Sequence, residues 1–283
     1  MSEGPHPSPR WGSEAIDPEG FNIPSLKAKY LLAHVPAAGR VLEVGSGSGK
    51  FLRTLAEHRP GLEVYGCDIA PWDPPEGITF RLMTNEIPYE DAMFDAVLVV
   101  DVLEHVPDPA ATIGEIARVL KPGGRLVAFV PIEGEPHSLY ALYRKVLGDD
   151  LYVETKHHVN AFTYAEVARL LADRFTIVDN SYIYHWLGHA MDATFFAAAR
   201  LPQLAKFWWR DNKYYAGDNQ KQSPFAFVLN RLLEAGNALA YLESRLLASH
   251  KMGVAGLLIE AHLASARPAR APADDLARTT RAV

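Results

Sequence analysis

Three glycines stand between an apolar strand and a helix early in this chain, and few folds accommodate that arrangement. Arg40 to Val44 reads as a buried strand, Gly45-Ser46-Gly47-Ser48-Gly49 follows at once, and Lys50 to His58 has helical spacing. Glycine turns this sharply with no Cβ to keep a ligand at a distance, so the turn brings backbone close to whatever binds there. Arg59-Pro60-Gly61 then stops the helix, and Glu63 to Cys67 forms a second strand followed by Asp68. The order strand, turn, helix, strand is a βαβ unit, with the glycine turn and Asp68 both at strand carboxyl ends.

Three ligand classes compete for such a turn. A phosphate-gripping loop has four residues between its first glycine and Gly-Lys-Ser/Thr. Here Gly49-Lys50 is followed by Phe51, and Val44 stands where the first glycine belongs, so that reading fails. A dinucleotide fingerprint places its third glycine three residues after the second; the gap from Gly47 to Gly49 is two, and position 50 is lysine, which weakens it. The third class is S-adenosylmethionine, which carries no phosphate and needs close backbone approach instead of an anion nest. A carboxylate at Asp68 can accept both ribose hydroxyl hydrogens, which favours this class.

The rest of the chain continues the alternation. A helix spans about Pro24 to Ala33, with further strands at Thr79 to Met83, Phe94 to Val100, Arg125 to Val130, Phe175 to Ile183 and Val254 to His262. Asp108-Pro109 opens a helix running to Leu120, which Lys121-Pro122-Gly123-Gly124 breaks. Thr163 with Glu166 forms a capping box for a helix over 163–172. This pattern predicts an α/β fold with a mostly parallel sheet. Between the last two strands, residues 184–251 show helical spacing dense in aromatics (Trp186, Phe195, Phe196, Phe207, Trp208, Trp209, Tyr214, Tyr215). Residues 1–20 and 264–283 read as mobile tails around a single domain at 21–263. Among 283 residues, 28 are basic and 34 acidic, a net charge of −6 that argues against a nucleic-acid binder. One cysteine, Cys67, excludes an intrachain disulfide and a cysteine-built zinc site; with no long uncharged stretch or secretory signal, the cytoplasm is expected.

Four segments, taken jointly, resemble the class I S-adenosylmethionine-dependent methyltransferases, in particular the type 11 group that includes the ubiquinone and menaquinone methyltransferases. They are Val41-Leu42-Glu43-Val44-Gly45-Ser46-Gly47-Ser48-Gly49, Gly66-Cys67-Asp68-Ile69, Phe94-Asp95-Ala96-Val97 continuing to Asp101-Val102-Leu103-Glu104-His105-Val106, and Leu120-Lys121-Pro122-Gly123-Gly124. The resemblance covers about residues 25 to 183 and the final strand. It implies a Rossmann-like seven-stranded sheet of order 3-2-1-4-5-7-6 with strand seven antiparallel, 184–251 being a helical insertion between strands six and seven. It also implies S-adenosylmethionine as cofactor and S-adenosylhomocysteine as product. Carried over, Glu43, Gly45, Ser46, Gly47 and Gly49 cradle the methionine and ribose, Asp68 with Ile69 takes the ribose side, and Val100 or Asp101 the methionine end. Lys27 is a further candidate beside the cofactor carboxylate, Thr84-Asn85-Glu86 offers adenine contacts, and His105 is weighed between cofactor contact and a backbone hydrogen bond.

A hydroxyl or ammonium acceptor requires a base. His137, His157 and His158 lie beyond strand five, with Tyr140 and Tyr152 in the same region; His158 is the first choice, set against a role in pinning its loop. Neighbouring histidines diverge, so one of the pair at most faces the cofactor. No carboxylate–histidine set has ligand spacing, and no metal is expected. The insertion is read first as a lid over an apolar or aromatic acceptor, and otherwise as a dimer contact or a membrane-surface anchor in which Lys206 and Arg210 flank Phe207-Trp208-Trp209. The expected function is methylation of a small molecule at oxygen, in a monomer or homodimer. The alternatives are transfer to nitrogen or carbon, a non-catalytic binding module, and a nicotinamide oxidoreductase.

Overall fold

A computed structural model describes residues 15–73, 76–84, 86–147, 157–191 and 224–264. Seven strands form one sheet: β1 (Ala38–Val44), β2 (Gly61–Asp68), β3 (Thr79–Leu82), β4 (Phe94–Val100), β5 (Leu120–Pro131), β6 (Phe175–Ile183) and β7 (Gly256–Leu263). Their order is β3-β2-β1-β4-β5-β7-β6, and β7 runs antiparallel to both its neighbours, as the resemblance implies. The chain reverses outward on either side of β1 and β4, so the carboxyl ends of these central strands border a crevice where open α/β sheets hold ligands.

The central strands are mostly apolar because both faces are covered. Along β1 and β4 the side chains alternate: Leu42, Val44, Val97 and Val99 join one core cluster, while Val41, Ala96, Leu98 and Val100 join the other. Leu31 of α1 (Ile23–His34) and Leu52 and Leu55 of α2 (Lys50–His58) fill the second face. The first takes Ile113, Ile116 and Val119 of α3 (Pro109–Val119) with Val167 and Leu171 of the helix Tyr164–Leu171. Burying one such side chain contributes about 1.5–3 kcal/mol, so this double layer is what fixes the strand ends in space.

Capping residues set the helix starts. Asn22 Oδ1 accepts from the Ser25 amide at 2.9 Å, and Asp108 Oδ1 accepts from the Ala111 amide at 2.9 Å. Thr163 and Glu166 bond reciprocally, forming the expected capping box. Lys121-Pro122-Gly123-Gly124 does not separate α3 from the next strand. β5 starts at Leu120, opposite Phe94, and the register shifts before Ala96 meets Arg125. The Lys121 ammonium lies 2.7 and 2.8 Å from the two Asp95 oxygens, and Asp95 also accepts the Arg40 amide at 2.8 Å. Asp95 is thus a structural pin.

The sequence pattern gave no sign of one helix, α4 (Leu139–Leu147), which follows β5; the Ala141 amide in its first turn donates to Ser138 Oγ at 3.0 Å. The helix Tyr164–Leu171 is then α5. Within the insertion, residues 186–191 are helical and α6 covers Pro224–Leu246. The C-terminal half of α6 docks on the sheet. Ala240 enters the core, the Tyr182 amide donates to the Ala248 carbonyl at 2.8 Å, and the Tyr184 amide donates to Ser244 Oγ at 3.2 Å. Lys206, Arg210 and the aromatics at 195, 196, 207–209, 214 and 215 lie outside the described residues, as do 1–14 and 265–283. The expectation of a tail over 1–20 is corrected for 15–20. Ile16 donates its amide to Thr54 Oγ1 at 2.8 Å, and the Asp17 carbonyl accepts from Ser25 Oγ at 2.7 Å, tying this stretch to α2 and α1. No described helix is long and apolar enough to cross a membrane.

Candidate active site

The glycine turn sits at the carboxyl end of β1 with φ values of +69° at Gly45, +50° at Gly47 and +75° at Gly49, a region glycine enters without strain. The Gly45 and Ser46 amides both donate to the Cys67 carbonyl, at 2.8 and 3.1 Å, which locks the turn against β2. Asp68 clamps it from the next position. Its Oδ2 accepts the Gly47 amide at 2.9 Å and its Oδ1 the Ala70 amide at 2.9 Å. A carboxylate has about four acceptor positions, so Asp68 retains capacity for two further donors such as ribose hydroxyls. The two inner faces of the turn differ. A Cβ on Gly45 would meet Val102 Cγ2 at 2.5 Å, whereas a Cβ on Gly47 would meet nothing within 4 Å. Gly47 therefore opens onto free space.

Behind the turn, Glu43 is buried, and among the described residues its Oε2 accepts no hydrogen bond. Burial, and after it the negative charge of Asp68, pushes its pKa well above the usual carboxylate range. Lys27 is buried on α1, with its Nζ 2.6 Å from Asp101 Oδ2 and 3.5 Å from the centroid of the Phe129 ring. Asp101, just past β4, has φ +54°. Glu43, Asp68 and Asp101 together make a carboxylate-lined cradle suited to a cationic ligand. The orphaned Glu43 oxygen and the open side of Gly47 fit an ammonium-bearing adenosyl sulfonium. Cys67, in the strand below, is buried, and burial raises its thiol to about 12, so it is inert.

A second group lies past the ends of β4 and β5. Glu104 is fully buried, and among the described residues neither of its carboxylate oxygens accepts a hydrogen bond from another side chain. Desolvation, and then the charge of Asp101, raises its pKa well above the ordinary value. His105 Nδ1 donates to the His157 carbonyl at 3.0 Å, and burial lowers the pKa of its ring. His158 Nδ1 bonds to Glu133 Oε2 at 2.8 Å, and the rings of His105 and His158 meet edge to face with centroids 4.8 Å apart.

The sequence candidates therefore divide. Glu43, Gly45, Ser46, Gly47, Gly49 and Asp68 come together, with Val100 buried at the end of β4 beside Asp101. Lys27 joins them through its ion pair with Asp101. Ile69 is exposed beside Asp68, Thr84 and Glu86 are exposed beyond β3, and Asn85 and Tyr152 lie outside the described residues. His158 enters the second group. His157 has φ +57° and contributes its carbonyl while its side chain is exposed; His137 is exposed before α4, and Tyr140 is buried. The premise behind expecting no metal does not survive folding, since Glu104, His105 and His158 bring one ligand-type atom each within 4.8 Å of one another. Glu133 went unnoticed in the sequence; its signal is position, two residues beyond the carboxyl end of β5.

Comparison with known proteins supplies independent support. A family model described as a methyltransferase domain matches residues 22–186, more than half of the chain. The demethylmenaquinone methyltransferase of Tropheryma whipplei (strain Twist) is 41% identical over 110 residues, covering 36% of this chain and 45% of that protein. The ubiquinone biosynthesis O-methyltransferase of Xylella fastidiosa (strain 9a5c) is 36% identical over 128 residues, covering 39% and 51%. The chain thus spans about half the length of these curated relatives. Among solved structures, phosphoethanolamine N-methyltransferase 2 of Haemonchus contortus, determined with S-adenosyl-L-methionine, superposes with a TM-score of 0.51 at 16% identity, over 86% of this chain and 53% of that one. The YcgJ protein of Bacillus subtilis gives 0.51 at 14% identity, over 86% and 100%. These two likenesses concern the fold alone. With the sheet order, the clamped glycine turn and the family match in agreement, the chain belongs to the class I S-adenosylmethionine-dependent methyltransferases.

Proposed function

We propose that this protein transfers the methyl group of S-adenosylmethionine to a hydroxyl oxygen of a small acceptor, one with an aromatic or otherwise apolar body. The observation that carries the reading is the adjacency of two groups: a carboxylate-lined cradle around Gly47, and, on the neighbouring strand ends, a Glu–His cluster whose two carboxylates are buried. When bound, the cofactor supplies a methyl carbon made electrophilic by sulfonium. Asp68 is positioned to take the ribose hydroxyls and Glu43 the ammonium, while the acidic cradle favours the charged cofactor over its neutral-sulfur product. The match to a methyltransferase family model over residues 22–186 supports this choice of cofactor.

A neutral hydroxyl is a poor nucleophile, so the acceptor must lose its proton. We assign that proton to His158. Its Nδ1–H is held by Glu133, which leaves Nε2 as the basic nitrogen and fixes the ring's orientation. Glu133 is a positioning residue. Oxygen is favoured as the acceptor atom by the name of the Xylella relative. The protein acts in the cytoplasm, as a monomer or homodimer, and takes no nucleic-acid partner.

The test is transfer of labelled methyl from S-adenosylmethionine to a panel of phenols, catechols, amines and enols, with products identified by mass and NMR. O-methyl products are expected. His158→Ala should lower kcat by about 10²–10⁴-fold while leaving S-adenosylhomocysteine affinity unchanged. Methyl transfer only to nitrogen or carbon would refute the acceptor assignment, and unaltered turnover in His158→Ala would remove it as base.

A further inference from the structure

The second group is built in a way that proton abstraction alone does not call for. Glu104 and Glu133 are both buried, at 0% and 3% exposure, although removing two carboxylates from water costs several kcal/mol each unless a positive charge offsets it. The cation that acts on Glu104, Lys27, is engaged with Asp101 at 2.6 Å. Both histidines bond outward through Nδ1, His105 to a backbone carbonyl and His158 to a carboxylate. In each ring that bond sets the tautomer and makes Nε2 the lone-pair nitrogen. His105 Nε2 lies 3.8 Å from Glu104 Oε1, and one donor atom from each of Glu104, His105 and His158 falls within 4.8 Å of the others. Three ligand-type atoms within 4.8 Å of one another, one of them on a buried carboxylate with no other side chain among the described residues bonded to it, call for a cation. Imidazoles fixed at the far nitrogen by a carbonyl and by a carboxylate are the outer-shell arrangement of metal-binding histidines.

We propose that Glu104, His105 and His158 bind one divalent transition-metal ion of the zinc class, with Glu133 orienting His158. Two imidazoles and one carboxylate suit zinc, cobalt or iron better than magnesium or calcium, which prefer all-oxygen shells. Metal–ligand bonds of about 2.0–2.2 Å place tetrahedral donors roughly 3.4 Å apart, so side-chain rotations that draw the donors in by about an ångström or more close the site. Three protein ligands leave a position for the acceptor oxygen. Its use rests on the methyl-transfer reading: a hydroxyl coordinated there loses its proton to water at a lowered pKa. An oxygen lone pair then forms the O–CH₃ bond while the electron pair of the breaking C–S bond stays on sulfur. Without the ion, His158 Nε2 takes the proton directly, as described above.

The test titrates cobalt(II) and then zinc(II) chloride into the chelator-stripped, full-length chain. One equivalent of cobalt should produce a visible d–d absorption band that zinc abolishes. Glu104→Gln should weaken zinc binding more than 100-fold, and Glu133→Gln by about 10–100-fold as an outer-shell loss. His58→Ala, on α2, should leave it unchanged. Calorimetry with S-adenosylhomocysteine checks that each variant is folded and reads the cofactor site separately. Absence of a stoichiometric cobalt band, or wild-type zinc affinity in Glu104→Gln, overturns the proposal. A wild-type chain that gives the band but no S-adenosylhomocysteine binding sustains the metal site and sinks the methyl-transfer reading.

Discussion

Glu104→Met should make the metal-free protein more stable while removing a ligand of the proposed metal ion. In the folded state the Glu104 carboxyl is fully buried, its oxygens accept nothing from another side chain among the described residues, and its neighbours include the charged Asp101 and Glu133. An unsatisfied buried polar group costs about 1–3 kcal/mol, and a charged one more. Methionine fills a similar volume with no polar oxygen and adjusts readily to an irregular site. The gain is therefore about 1–3 kcal/mol, less a few tenths for added bulk. In a chain of this size each kcal/mol moves Tm by roughly 2–4 °C, so a rise of several degrees is expected. The assay is calorimetric unfolding of both proteins in excess chelator. A lower Tm for the variant would mean that the carboxylate is satisfied in the native state, and would remove the argument that it awaits a cation.

Three further substitutions probe the rest of the account. Asp68→Ala removes the acceptor of the Gly47 amide along with the proposed ribose contact, and should weaken S-adenosylhomocysteine binding by about 1–3 kcal/mol in a calorimetric titration. Gly47→Val puts a branched side chain at φ +50° and into the open side of the turn. Beyond a strain cost of about 1–2 kcal/mol, read as a lower Tm, it should reduce cofactor affinity more than tenfold. Glu115 is held by Arg118 at 2.7 and 2.9 Å, and that bidentate bond is the main cause of a pKa below the ordinary 4.5. A depressed carboxylate pKa stabilises the fold above the unfolded value, and the contribution disappears as pH falls through the lowered one. The deficit of Glu115→Gln, about 1 kcal/mol, should accordingly be constant at neutral pH and shrink below about pH 4.5 in denaturant titrations.

The parts of this molecule legible in the sequence are those whose determinants are local. The glycine turn, Asp68 at the end of β2 and the apolar run over 96–100 in β4 each follow from period and spacing within some twenty residues. Lys121-Pro122-Gly123-Gly124 misled because proline and glycine usually stop an element, whereas the Lys121–Asp95 ion pair here holds the segment in the sheet. Residues 15–20 read as tail by composition, yet hydrogen bonds to Thr54 and Ser25 secure them. The acceptor-side cluster was illegible for a stronger reason. His158 and Glu133 are 25 residues apart, and the His105 ring is fixed by a carbonyl 52 residues away. Only the side-by-side placement of β4 and β5, with the loop before α5 folded over them, brings these groups within bonding distance. Lys27 illustrates the same limit, since its partner Asp101 lies 74 positions along the chain.

The most direct test of the whole account is a calorimetric titration of S-adenosylhomocysteine into the full-length protein. Saturable binding of one molecule per chain, undiminished by NADH, is the predicted result. Absence of binding heat, or displacement by NADH, would contradict the claim that the Gly47 cradle is built for an adenosyl sulfonium cofactor.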